Sequence, residues 1–161
     1  MLYVNYVIVF LSVLLVGGCT GPRSSTELRS STVANHQGAD VALNALALLN
    51  SPYRYGGAHP STGFDCSGLV FYVFQPQTAT PIPRQSGEQA RLGRAIALNQ
   101  LEAGDLVFFN TLGKANSHVG IYIGDGNFIN APSSGGHVRI DSLHNPYFKQ
   151  RFTAARRFFE L

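Results

Sequence analysis

The order of two hydrophobic patterns limits what this chain can fold into more than any other feature of its sequence. Between Ala39 and Leu49, apolar residues recur every three or four positions, which is typical of a helix on a core, and a second such period begins at Leu69. After Asp105 the pattern changes to short apolar runs separated by turn residues, as in strands. Helices followed by a mostly antiparallel sheet predict the α+β class, with the N-terminal helices packed on the sheet. The expected strands are residues 106–109, 119–123, 128–131, 138–140 and 155–159.

Residues 1–18 have the features of an export signal. The apolar run from Tyr6 to Val16 is shorter than the roughly 20 residues that cross a bilayer as a helix. The small residues before Cys19 resemble a bacterial lipobox, whose cysteine is lipidated and becomes the first residue of the mature protein. We therefore expect a lipoprotein signal peptide over residues 1–18 and an anchor at Cys19. The alternative is a secreted protein with a disulfide between Cys19 and Cys66.

The chain after Cys19 divides into two parts. Residues 20–38 are rich in Ser and Thr and have few large apolar side chains, so we expect the lipidated Cys19 to continue into a flexible tether. Residues 39–161 have the length of one compact domain, which we expect to be a monomer. The net charge is only +3 and the basic residues are scattered, which argues against a nucleic-acid partner.

Cys66 is the one thiol that remains once Cys19 is assigned to the lipid anchor. An unpaired cysteine with His118 and Asn130 further along is the pattern of a papain-like nucleophile. Cys66 stands between a loop rich in Gly and Pro and the helical period, and so at a helix N-terminus. Backbone amides and the helix dipole there predict a lowered thiol pKa. A buried core thiol is the alternative, and the polar neighbours Asp65 and Ser67 oppose it.

The spacing of His118 and Asn130 predicts that they meet across a hairpin. If residues 124–126 form its loop, His118 lies opposite Pro132, and Asn130 is its diagonal neighbour on the same face. Asn130 can then hydrogen-bond one imidazole nitrogen and leave the other for Cys66, which fixes the tautomer of the base. His137, which follows a Ser- and Gly-rich run, is an alternative third member.

Five sequence blocks together resemble the NlpC family of papain-like cell-wall peptidases, and most closely its small lipoprotein murein endopeptidases. The resemblance covers nearly all of residues 39–161. The blocks, in the order found in that family, are residues 53–57, 63–70, 82–86, 104–109 and 117–124.

The resemblance implies a papain-like fold, no cofactor, and hydrolysis of peptide bonds in the stems or crosslinks of peptidoglycan. It assigns Cys66 as nucleophile, His118 as base and Asn130 as the residue that orients the base. The family commonly has His at this third position, and an Asn can orient an imidazole by a neutral hydrogen bond. Whether the D-Ala to diaminopimelate crosslink or the γ-D-Glu to diaminopimelate bond is cut stays open.

The resemblance also gives roles to residues near the nucleophile. It places the Tyr53 hydroxyl at the oxyanion site beside the Cys66 amide, and Asp65 and Ser67 in the substrate cleft. The alternatives are a packed aromatic for Tyr53 and a helix-capping acid for Asp65. Arg84 belongs to the block at residues 82–86, and the alternative for it is an ordinary surface cation.

Two other activities are the alternatives to wall hydrolysis. The first is a lipoprotein that binds wall fragments without catalysis, which has no need of a full Cys, His and Asn set. The second is an acyltransferase, which forms the same acyl-enzyme as a hydrolase and so cannot be distinguished from one by these residues. We expect no metal, because the remaining histidines lack ligand spacing and a second cysteine. Those histidines are His36, His59 and His144. If the host is Gram-negative, Thr20 after the lipidated cysteine suggests the outer membrane, facing the periplasm.

Overall fold

The computed structural model describes residues 25–75 and 81–159 of the 161-residue chain. The predicted signal peptide, Cys19 and the start of the predicted tether lie outside these residues. The helices of the described part are α1 (Ser25–Leu46), α2 (Cys66–Phe74), α3 (Ser86–Leu92) and α4 (Pro146–Lys149). Its strands are β1 (Ala58–His59), β2 (Gly63–Phe64), β3 (Arg94–Ala95), β4 (Leu106–Phe109), β5 (His118–Gly124), β6 (Asn127–Asn130), β7 (Arg139–Ser142) and β8 (Phe152–Arg157).

The main sheet is antiparallel throughout. In the described residues it has six strands in the order β3-β8-β4-β5-β6-β7. All five predicted strands are present, although the last begins at Phe152, earlier than the sequence predicts. The α+β prediction is confirmed. Within the described ranges, no helix combines the length and the apolar character needed to cross a bilayer.

Strand β4 locates the core, because its four side chains are fully buried on both faces of the sheet. Leu106 and Phe108 point to the face on which α1 and α2 pack, whereas Val107 and Phe109 point to the other. On that second face the Phe109 ring lies 5.0 Å from the ring of Phe128. Strand β5, which begins with His118, pairs directly with β4 and is therefore supported by packing on both sides.

Helix α1 begins at Ser25, in place of the tether that the sequence predicts for residues 25–38. It also crosses the predicted domain boundary at residue 39. No proline or glycine interrupts residues 25–37. Extending a helix that is already formed costs far less than nucleating one, so the segment that packs on the core can propagate toward the N-terminus.

The face that α1 turns toward the core differs from the prediction. The helical period predicts that Leu43 and Leu46 point inward, but Leu43 is 62% exposed. Between residues 36 and 46, the part of α1 whose burial the structure describes, the buried residues are Gly38, Val41, Ala42 and Ala45. A Cβ atom at Gly38 would lie 2.3 Å from the carbonyl oxygen of Ala103. This part of the helix therefore approaches the domain through small side chains, and Leu43 and Leu46 are exposed.

Candidate active site

Cys66 is the first residue of α2, as the sequence predicts. Asp65 is the N-cap of this helix, and its Oδ1 atom accepts a hydrogen bond of 2.7 Å from the amide of Gly68. Within the described residues the Cys66 thiol is free, and its half-buried side chain packs against the main hydrophobic cluster while it also lines a cleft. The capped helix therefore holds the sulfur at one wall of a cleft of about 900 Å³.

The hairpin of β5 and β6 has the predicted register. Ile121 pairs with Ile129, and continuing this ladder places His118 opposite position 132. Only the turn differs, because Gly124 itself pairs with Asn127 and the ladder is irregular just before it. Asp125 and Gly126, the two turn residues, have φ angles of 51° and 74°. Positive φ at both positions suits a tight hairpin turn between twisted strands.

The predicted contact between His118 and Asn130 is present. Their Nε2 and Oδ1 atoms are 2.9 Å apart, and the two residues are 7% and 0% exposed. The backbone N–H of Val119 hydrogen-bonds the sulfur of Cys66, so the thiol lies against the start of β5. Because Asn130 occupies Nε2, the Nδ1 atom of His118 is the nitrogen left for the thiol. His137, the alternative third member, is exposed and pairs with Pro52 through its backbone.

Two residues that the sequence analysis missed extend this contact. The Nδ2 atom of Asn130 donates to Oδ2 of Asp141 at 2.9 Å, and Nε of Arg139 donates to the same oxygen at 2.9 Å. Strand β7 brings them there, because Arg139 pairs directly with Asn130. Asp141, two positions along, shares that face. The alternation of Arg139 and Asp141 around Ile140 is the one signal in the sequence that could have indicated this pair.

The pKa of Cys66 shifts in the direction opposite to the prediction. Burial raises the pKa of this thiol, and the negative charge of Asp65 raises it further. Hydrogen bonds from the backbone amides of Val119, Ser67 and Cys66 itself lower it, but they do not overcome the loss of solvation. The helix N-terminus therefore contributes less to the thiol than its desolvation costs.

Burial also lowers the pKa of His118, with a smaller contribution in the same direction from Arg139. The hydrogen bond to Asn130 and the charge of Asp141 act against this change without cancelling it. A raised thiol pKa and a lowered imidazole pKa favour the uncharged forms of both groups at neutral pH. The resting pair is thus a thiol beside a neutral imidazole.

Arg84 is not an isolated surface cation, which corrects that alternative. Its NH1 and NH2 atoms donate to the two carboxylate oxygens of Asp65 at 2.9 and 2.8 Å. NH1 also donates to the hydroxyl of Ser67 at 3.0 Å, and NH2 to the carbonyl of Gly57 at 3.1 Å. Arg84 therefore joins the loop before α2 to the first turn of that helix.

Asp65 is the centre of this network. Burial alone would raise the pKa of its carboxyl group, but hydrogen bonds from Arg84 and from the amides of Gly68 and Gly56 together lower it. Ser67, which is 8% exposed, also donates to Asp65, at 3.3 Å. This arrangement matches the capping role for Asp65. Both residues also line the cleft, and their contact with substrate stays a prediction.

Tyr53 lines the same cleft while its ring packs against the core, as expected for a packed aromatic, and its role at the oxyanion site stays a prediction. Burial raises the pKa of its hydroxyl, and the charges of Cys66, Asp65 and Tyr55 raise it further. The hydroxyl therefore stays protonated near neutral pH and can donate a hydrogen bond beside the sulfur. Among the described residues, no group of three His, Cys, Asp or Glu side chains could hold a metal ion.

A helix that begins with a cysteine and packs on the sheet strand that begins with a histidine is typical of the papain-like class of α+β folds. The chain belongs to the NlpC/P60 family, whose model matches residues 50–157. This confirms the resemblance carried by the five sequence blocks.

Two curated relatives and one solved structure illustrate the family. The murein DD-endopeptidase MepH of Escherichia coli K12 is 44% identical over 121 residues, which are 73% of this chain and 45% of MepH. The γ-DL-glutamyl hydrolase of Bacillus subtilis is 43% identical over 119 residues, 73% of this chain and 29% of that protein. An NlpC/P60 family protein from Bacillus cereus superimposes with a TM-score of 0.70 at 35% identity, covering 76% of this chain and 40% of that one. The chain thus spans less than half the length of each.

Proposed function

We propose that this protein is a cysteine peptidase that hydrolyses peptide bonds in the stems or crosslinks of peptidoglycan. The observation that carries the proposal is the 2.9 Å hydrogen bond from His118 to Asn130, with the Cys66 sulfur against the next residue of the same strand. This arrangement leaves Nδ1 of His118 as the proton acceptor for the thiol. A nucleophile, a base and an orienting group are the parts that acyl transfer through cysteine requires.

The reaction begins from the neutral pair. Nδ1 of His118 takes the thiol proton as the Cys66 sulfur attacks the carbonyl carbon of the scissile peptide bond. In this proposal the backbone amide of Cys66 and the Tyr53 hydroxyl donate hydrogen bonds to the oxyanion that forms. The imidazolium then gives its proton to the leaving amine, which leaves a thioester on Cys66. Water, deprotonated by the same imidazole, hydrolyses the thioester and restores the thiol.

The name of MepH, a murein endopeptidase, supports a peptidoglycan substrate, but the two relatives together do not choose the bond. MepH is named for DD-endopeptidase activity and the Bacillus subtilis relative for γ-DL-glutamyl hydrolysis, and their identities to this chain are nearly equal, 44% and 43%. The substrate of this chain therefore has to be found from its products.

Digestion of purified peptidoglycan by the chain without its signal segment, followed by mass spectrometry of the soluble products, tests the proposal. Loss of crosslinked dimers identifies cleavage of the crosslink, and shortened stems identify cleavage after γ-D-Glu. Either product must disappear in Cys66→Ala. Wall that is bound but never cut would identify a silent binding protein, and conjugates with an added amine would identify an acyltransferase.

We further propose that the protein is attached to a bacterial membrane by lipid on Cys19, on the outer membrane facing the periplasm. The support is the pair Gly17-Gly18 before Cys19, and Thr20 after it. Labelling cells with a fatty acid tests the anchor, because Cys19→Ser should abolish incorporation and release the protein from the membrane fraction. A wild-type protein that takes up no label would instead be a secreted enzyme, for which a disulfide to Cys66 can be tested by thiol titration.

A further inference from the structure

The polar contacts of His118 continue past Asn130 to strand β7. Asn130 is 0% exposed, and both ends of its amide are engaged. Oδ1 lies 2.9 Å from His118, while Nδ2 lies 2.9 Å from the carboxylate of Asp141. The backbone carbonyl of Arg139, at 3.5 Å, is a second and weaker acceptor on the Asp141 side.

The two ends of this amide are chemically different. Nδ2 can only donate hydrogen bonds, Oδ1 can only accept them, and an ionised carboxylate can only accept them. Asp141 therefore requires the Nδ2 end of Asn130 to face β7, which turns Oδ1 toward His118. An oxygen in that position requires a hydrogen on Nε2 of the ring. In a neutral imidazole the lone pair is then on Nδ1.

We propose that Asp141 is a positioning residue that acts through Asn130 to select the His118 tautomer able to accept the proton of Cys66. This role rests on the proposed function of the Cys66 and His118 pair. Asp141 then contributes to catalysis although its carboxylate contacts Asn130 and not the base, His118. Without the carboxylate, Asn130 can turn its amide over, and the ring then presents an N–H to the thiol in place of a lone pair.

The charges around His118 favour orientation as the role of Asp141. Arg139 and Asp141 act on the ring from β7 and Cys66 lines the same cleft from α2, whereas β4 and β6 contribute the uncharged Phe109 and Asn130. Asp141 and Arg139 act on the imidazole in opposite directions. Arg139 Nε lies 2.9 Å from Asp141, so the ion pair presents little net charge to the ring. The carboxylate nevertheless still accepts a hydrogen bond from Nδ2 of Asn130.

The variant Asp141→Asn tests the proposal, because it keeps the size of the side chain and removes its preference for a donor. We expect a mixture of His118 tautomers in the ¹⁵N spectrum of the ring, and alkylation of Cys66 by iodoacetamide at neutral pH about tenfold slower. Asp125→Asn is the matched control, since Asp125 is exposed at the far end of β5 and its positive φ accommodates Asn. This control should match the wild type.

The double variant Asn130→Asp with Asp141→Asn makes the test independent of how well the single variant folds. A carboxylate at position 130 accepts from both His118 Nε2 and an amide at 141, so the original tautomer should return, and alkylation should exceed that of Asp141→Asn. A wild-type spectrum and alkylation rate in Asp141→Asn, or a wrong tautomer in the folded double variant, would overturn the proposal. Neither readout uses peptidoglycan, so a failed wall assay leaves this test intact.

Discussion

The two walls of the cleft hold their functional groups by different means. On the strand wall, His118 and Asn130 are brought together by the backbone ladder of one hairpin, and a single hydrogen bond of 2.9 Å joins them. On the helix wall, Cys66 is held by a side-chain network in which Arg84 reaches Asp65 across 19 positions of sequence. The strand wall therefore depends on register, whereas the helix wall depends on an ion pair and on burial.

This difference decides how each wall responds to substitution. A strand side chain can be replaced while the ladder keeps its neighbours in place, because the ladder consists of backbone hydrogen bonds. Asp65 by contrast accepts hydrogen bonds from two amides, a hydroxyl and Arg84, so a change at either end of the ion pair removes charge-assisted hydrogen bonds at a partly buried site. We therefore expect changes in the Asp65 and Arg84 ion pair of the helix wall to reduce stability as well as turnover. Changes on the strand wall should act on turnover through the orientation of His118.

Cys66→Ala should reduce turnover more than any other single substitution in the cleft. We expect wall hydrolysis to fall by at least about 1,000-fold, because no other group can form the acyl-enzyme. The helix cap on Asp65 does not involve the sulfur, so the thermal unfolding temperature should stay close to that of the wild type. Full activity in this variant would remove Cys66 as the nucleophile.

Asn130→Ala should have an intermediate effect confined to the strand wall. Turnover should fall by roughly 10- to 100-fold, because nucleophile, base and oxyanion donors remain while the ring loses its orientation. Asn130→His should keep more activity than the alanine variant, since the new ring can bond Nε2 from the same strand position. Activity that is lost in His137→Ala but kept in Asn130→Ala would show that the orienting residue is His137.

Arg84→Met should have the smallest effect on turnover, a loss of a few fold, but should also reduce stability. Asp65 would lose two charge-assisted hydrogen bonds at a partly buried site, which costs about 1–3 kcal/mol of the free energy of unfolding at neutral pH. Arg54→Met, at an exposed position, is the control and should match the wild type.

The loss of stability in Arg84→Met should depend on pH in a direction that follows from the pKa of Asp65. Because the folded protein lowers the pKa of Asp65, the stabilisation is complete above the pKa of the unfolded carboxyl group and is lost as the pH falls through the folded pKa. The stability difference between wild type and variant should therefore shrink on acidification. A difference that stays constant down to strongly acidic pH would show that Arg84 stabilises the helix wall without Asp65.

The same contrast explains which parts of the site could be predicted from the sequence. The meeting of His118 and Asn130 follows from the period of two along strands and from a short turn, which together leave few registers. The contact with Asp141 could not be found in this way, because residues 131–138 join β6 to β7 and include a 3-10 turn at Ser133–Gly135. A connection of that length does not fix the register of the strand that follows.

Two errors in the prediction, the direction of the Cys66 pKa shift and the inward face of α1, have one physical origin, which is burial. The position of Cys66 at a helix start follows from the sequence, but the direction of its pKa shift depends on how far packing from distant segments removes the thiol from water. The inward face of α1 depends likewise on a contact between Gly38 and Ala103, which favours small side chains where the hydrophobic pattern favours leucines. Local sequence patterns predict where helices and strands form, whereas the exposure of each side chain to water depends on the whole fold.

The pH profile of Cys66 alkylation in the wild type and in His118→Ala tests the central claim, that a buried neutral imidazole across the cleft activates the half-buried thiol of Cys66. In the wild type, reactivity should rise as His118 loses its proton, at a pH below the ordinary range of histidine. In His118→Ala it should rise only as the thiol ionises by itself, at a pH above the ordinary thiol value, because burial raises the pKa of Cys66. Identical profiles would contradict the account, since they would show that the two walls of the cleft act independently.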